Sequence, residues 1–369
     1  MSLTRWLVTL VSFAAAVGVS AYIVASSWPV EGASVGLSYA AHALAALAVL
    51  FEILARAGKI KLSALALRIP LGFGTAARTC LGGDFGAAIT PARSGAEPAR
   101  YLVLAEARVA PAGRLLILFT ELFLEMLSLA IVATVLALVF RGAGPALGGL
   151  VGLVGGYAAF VLGIGAAGLA LARHNAHGPP PRWAALLGLH AGRWRTVQRS
   201  LRQLRSSVSA VRDAKLDTMS LALGASVLHV ACRALVLPAL VFASDAGLPL
   251  TMETLSPIVL WPLALVYGGA VVPAPGGGGV IETAFSHTLR DAIPASIFGA
   301  SLIWWRFYTF YIYILLGALA AGGTVLRALR GRTDDDDAEQ RAAHESRLDV
   351  RRATLRTRVD ARGRTTTPS

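Results

Sequence analysis

The sequence predicts an all-α integral membrane protein: a polytopic helical bundle in which two elements are re-entrant or broken helices. Three observations predict it. Of 369 residues, 55% are hydrophobic and 15% charged, whereas soluble domains carry about 25% charged residues. Apolar runs near 20 residues recur, the length that crosses a hydrocarbon core of about 30 Å. Two stretches among those runs, TPARSGAEPAR (90–100) and VVPAPGGGGVIE (271–282), hold too much Pro and Gly to continue a helix. Broken backbone at membrane depth survives only when protein surrounds it or it lines a wet cavity. The ten-residue alternating segments of an outer-membrane barrel are absent.

The elements follow in chain order. Residues 7–26 read as an uncleaved first span, longer than the apolar core of a signal peptide. The loop at 28–36 has no Lys or Arg, so it belongs outside. Residues 37–55 form the second span, and Arg56, Lys59 and Lys61 mark the inside again. The stretch 62–110 is apolar but interrupted. Two half-helices dipping in from the cytoplasm suit it, and a simple hairpin has the same parity. Spans at 114–140 and 146–172 come next, the second Gly-rich. The insert 173–217 is arginine-rich, with Trp194, Val197, Leu201, Leu204 and Val208 at helical spacing. It reads as an amphipathic cytoplasmic helix. A span at 219–244 leads to an acidic outer loop, and 255–272 returns inward. Segment 280–293 is too polar for an ordinary span and reads as a buried half-helix. The last span is 294–326. This gives a membrane domain of 1–330 and a charged, disordered cytoplasmic tail of 331–369. Both termini then lie in the cytoplasm.

The net charge of +13 fits the positive-inside rule and contact with anionic lipid headgroups. Nucleic acid is not expected as a partner, because the basic segments contain no module that binds it. Cys80 and Cys232 lack metal-ligand spacing, and neither a metal, a cofactor nor a disulfide is called for. Assembly into a homo-oligomer stays open.

Four features resemble the flippase-like membrane domain of bacterial lysylphosphatidylglycerol synthases and their shorter relatives. These are TPARSGAEPAR, the acids Glu121 and Glu125 in the following span, PAPGGGGVIE, and a last span with Arg306 followed by Tyr308 and Tyr311. The resemblance runs from about Trp6 to Leu329. Ala96 separates Gly95 from the acid Glu97, where the family places the acid directly after the glycine. The resemblance implies movement of a polar-headed lipid between leaflets of the inner membrane. The full synthases add a soluble aminoacyl-transferase domain. The tail here is far below that size, so aminoacyl transfer is not expected.

The two motifs resemble each other, with Pro91, Gly95 and Glu97 in one and Pro275, Gly276, Gly277, Gly279 and Glu282 in the other. Paired interrupted segments in two halves point to a transporter site, where a helix N-terminus can face an anion. The alternative is a tight turn between packed helices. Glu121 and Glu125 lie one turn apart in an apolar helix and require partners. Arg306 is the natural counter-ion, with Arg233, one turn beyond His229, a second candidate. A structural ion pair and a substrate or proton role both fit. Arg93 and Arg100 suit phosphate, and equally suit anchors at the inner surface. The expected headgroup cavity therefore comprises Pro91, Arg93, Gly95, Glu97, Arg100, Glu121, Glu125, Pro275, Gly276, Gly277, Gly279, Glu282 and Arg306. With no GxxxxGK[ST] motif, the drive would be an ion or lipid gradient, and protonation of Glu121 or Glu282 would couple it to protons. The rivals are a membrane enzyme modifying a lipid and a non-transporting subunit of an envelope-lipid complex.

Overall fold

The computed structural model describes residues 22, 36–90, 93–142, 144–174, 194–195, 198, 214–272 and 274–324. The first span at 7–26, the tail at 331–369, Pro91 and nearly all of the 173–217 insert lie outside the described residues. The described residues contain helices and no strands, as an all-α membrane bundle requires. Four helices are long and apolar enough to cross a membrane: Tyr39–Ala66, Pro111–Val139, Leu216–Phe242 and Ala295–Thr324.

Helix α1 (Tyr39–Ala66) starts at Ser38, whose hydroxyl accepts from the Ala41 N–H and donates to Ala243 O. Ser38 thus caps the helix and ties its start to the far end of another. The helix runs 11 residues past the expected boundary of 55, because Arg56 and Lys59 are buried inside it and do not mark an inner surface. Helices α2 (Phe73–Ala88) and α3 (Ala96–Glu106) follow. At 1.5 Å per residue they span about 24 and 17 Å, short of a bilayer core. They form a hairpin that enters and leaves on one face: Ile69 at its entry lies within van der Waals reach of Val109 at its exit, over Gly113. At its tip, Gly86 and Gly95 approach so closely that a Cβ on either would strike the other's carbonyl. Thr90 pins that tip, donating to Gly86 O and accepting from the Gly95 N–H, both at 2.7 Å.

Helix α4 (Pro111–Val139) opens with Pro at its first position, where no N–H is needed. Helix α5 (Pro145–His174) follows. The expected span 219–244 is two helices, α6 (Leu216–Ala234) and α7 (Val236–Phe242). The break at Leu235 precedes Pro238, which cannot donate to Ala234 O. Helix α8 (Met252–Gly268), capped by Thr251, runs in from the Ser38 face. It ends in two single 3-10 turns, Gly269–Val271 and Pro275–Gly277. Helix α9 (Val280–Leu289) then turns back. It lies antiparallel to α10 (Ala295–Arg306), with Phe285 against Phe298 and Trp305 at ring centroid distances of 5.7 and 5.0 Å. A π-turn, Phe307–Tyr311, follows α10, and helix resumes to Thr324. At that end Arg78 of α2 bonds Ala320 O and Thr324.

The second broken element is therefore also a hairpin, entering from the Ser38 face. The first enters from the opposite face. Their tips meet inside the bundle, which is the arrangement the sequence predicts.

Candidate functional site

A cleft opens where the tips meet. Asp84, Ala87, Ala88 and Arg93 line it from the first hairpin, Gly269, Gly276 and Ile281 from the second, Arg233 from α6, and Arg306, Thr309, Phe310 and Tyr313 from the last span. It encloses about 560 Å³, counting its mouth. Three arginines face one aspartate, and Asp84 is already engaged: both its oxygens accept from Arg56, at 2.8 Å each. Such a two-bond fork is the strongest arrangement for this pair. Arg93 sits half-buried at the cleft with a left-handed backbone (φ 56°) and no ion pair. The cleft is electropositive.

Helix α9 and the π-turn place Arg306. Glu282, at the third position of α9, reaches back to accept from the Gly279 N–H at 2.7 Å. This satisfies one of the orphan donors of a helix start. Its other oxygen accepts from Arg306 Nε at 2.7 Å, and Arg306 also donates to Gly276 O at 3.2 Å. Gly276 has φ +61°, and the Phe310 ring occupies the place of any Cβ, so only glycine fits. Phe310 in turn stacks under Arg306, 4.7 Å from its guanidinium carbon. The π-turn helps set Arg306, Thr309, Phe310 and Tyr313 toward the cleft. Such bulges are common at functional sites.

The remaining predicted residues form a second, separate assembly. Glu121 and Glu125 do not meet Arg306. Both bind Lys59 of α1, which is wholly buried, Glu121 at 2.9 Å. The reason is geometric: the two acids share the face of α4 that packs on α1, whereas Arg306 is held by Glu282 some distance away in the fold. Glu121 also accepts from Arg100 at 2.6 Å, and Arg100 donates to Glu97 at 2.9 Å. Glu125 accepts from the Tyr267 hydroxyl at 3.2 Å and lies 3.3 Å from His229 Nε2. Arg233 pairs with Glu52 at 2.7 Å, and Glu52 lies 3.5 Å from Arg56.

Of the predicted set, the cleft thus gathers Arg93, Gly276 and Arg306, with Glu282 and Gly279 directly behind them. Glu97, Arg100, Glu121 and Glu125 belong to the Lys59 network. Gly95 serves the hairpin tip, and Gly277 (φ +67°) packs on Ile281. Sequence reasoning missed Glu52, Arg56, Lys59, Asp84 and Tyr267. A signal existed for two of them: Glu52 and Arg56 lie one helical turn apart next to an apolar run, and Asp84 is the only acid in residues 62–96. Lys59 read as a surface marker because its partners lie more than 60 positions away. Among the described residues, no group of three His, Cys, Asp or Glu is placed to hold a metal.

Two opposed re-entrant hairpins, mid-depth ion pairs and long apolar helices define a multi-pass membrane protein. The model for the lysylphosphatidylglycerol synthase TM region matches residues 4–317. The chain belongs to that family. A search among curated proteins gave no match.

Proposed function

We propose that the protein is a lipid translocase that moves an anionic, phosphate-bearing headgroup between leaflets of the inner membrane. The supporting observation is the cleft at the meeting point of the two hairpins, where Arg93, Arg233 and Arg306 outnumber the one engaged acid, Asp84. Guanidinium groups match phosphate oxygens in geometry and charge. Cations so deep are costly unless they meet a partner, a substrate or water. Interrupted helices near the midplane are where transporters place their substrate sites. The family's own name refers to a lipid with such a headgroup, lysylphosphatidylglycerol, which agrees with this reading. On it, the headgroup crosses between the tips while the acyl chains stay in the bilayer. No covalent step is required.

Reconstitution tests this. Liposomes holding the protein should scramble labelled phosphatidylglycerol faster than empty ones. Arg93→Gln should slow that by about tenfold or more, the worth of a charged hydrogen bond. Arg93 has no ion pair to lose, so folding should be spared. Equal rates in empty and loaded vesicles, across anionic, zwitterionic and cationic headgroups, would sink the proposal.

A further inference from the structure

The network around Lys59 does not line the cleft, and its charges do not balance. Glu97, Glu121 and Glu125 carry three negative charges, and Lys59 and Arg100 supply two positive ones. The missing positive charge has one nearby source outside the network: Arg93, at the cleft, whose field reaches Glu97 without forming an ion pair with it. At the far end of the network stands His229, wholly buried, with Nε2 3.3 Å from Glu125 Oε1 and neither ring nitrogen completing a hydrogen bond. A buried polar ring left unbonded is expensive. A proton on it would give Glu125 a donor and the network its missing charge.

We propose that Glu125 and His229 form a proton-binding site that fills when an anion occupies the cleft. The inference rests on the cleft reading above. An anion on Arg93 cancels the charge that balances Glu97, and the network then takes up one proton, which rests on His229 facing Glu125. By linkage the effect is reciprocal: protonation favours anion binding as much as the anion favours protonation. Groups around His229 agree with its role as the acceptor. Lys59 and Glu52 face it from α1, Glu125 from α4 and Tyr267, through Glu125, from α8. Arg233 lies one turn along its own helix and is neutralised by Glu52. Helix α7 contributes no titratable group. Lys59 already holds two carboxylates, and Glu52 already holds two arginines.

Two measurements on the full chain in nanodiscs test this. In the first, histidine ring nitrogens are titrated by NMR without lipid, and the His229 signal is identified by its loss in His229→Gln. Arg93→Ala mimics the occupied cleft. It should raise the His229 midpoint by about half a pH unit or more, the direction that removal of a nearby cation dictates. An unmoved midpoint would overturn the proposal. In the second, dihexanoyl phosphatidylglycerol is added in weak buffer with a pH indicator. Wild type should take up as much as one proton per bound lipid, while His229→Gln should bind the lipid with no uptake. Uptake that persists in His229→Gln, or binding to wild type without uptake, would also overturn it. If this lipid fails to bind while Arg93→Ala still shifts His229, the proton site stands and the cleft reading falls.

Discussion

Arg68 and Arg108 end α1 and α3 in the same way. Each takes a left-handed backbone, φ 59° and 58°, and the next residue's N–H returns to the helix, Ile69 to Ala64 O and Val109 to Leu104 O. This is the helix ending at which glycine is preferred, because a Cβ there is strained. Arg108→Gly should therefore stabilise the protein by about 0.5–1 kcal/mol, read as a rise in melting temperature. Gly276 presents the opposite case. Gly276→Ala meets both a positive φ and the Phe310 ring, so Phe310 must leave Arg306. Lipid scrambling should fall by more than the stability loss explains, and scrambling at the wild-type rate would show that the stacking of Phe310 is dispensable.

Both hairpins are set by close approach and not by long apolar faces. Gly317 lets the last span lie directly on the backbone of α2, where a Cβ would strike Leu81 O. Small residues at such crossings let helices pack tightly in lipid, where no hydrophobic drive pushes them together. Gly317→Leu should separate α2 from the last span, widen the cleft and lower the melting temperature. The expected cost is about 1–3 kcal/mol, typical of overpacking. The same substitution at Gly148 meets open space and serves as the control. An equal loss at both positions would count against the packing argument.

Across the whole molecule, buried charge is divided into three assemblies. Glu282 with Arg306, and Glu52 with Arg56, Asp84 and Arg233, are each balanced. They hold different helices together at a depth where unpaired charges are costly. Removing one partner should therefore harm more than removing two. Asp84→Asn is expected to destabilise by about 3–5 kcal/mol, since it leaves Arg56 without its fork. Asp84→Leu combined with Arg56→Met should recover most of that, because apolar pairs of similar volume replace buried ion pairs at little cost. Thermal unfolding of the single and double variants in one detergent decides it. A double variant no better than the single one would assign Arg56 a role beyond holding the fold.

The sequence by itself determined the membrane class, the positions of most long helices and the existence of two broken elements. Those properties are local: hydrophobic length, proline and glycine act within about 30 residues of chain. It also located nearly every acid and arginine that matters, because a charge in an apolar run is conspicuous. What only the tertiary structure decided is which charge meets which. The sequence offered Arg306 to Glu121 and Glu125; the fold gives it to Glu282, and gives those two acids to Lys59. Lys59 was hidden by the positive-inside rule, which reads a lysine beyond an apolar run as a surface marker. Pairing depends on the rotation and crossing of helices far apart in the chain. That information is carried by packing, such as Gly86 against Gly95 and Gly317 against Leu81, and no periodicity along a single helix encodes it.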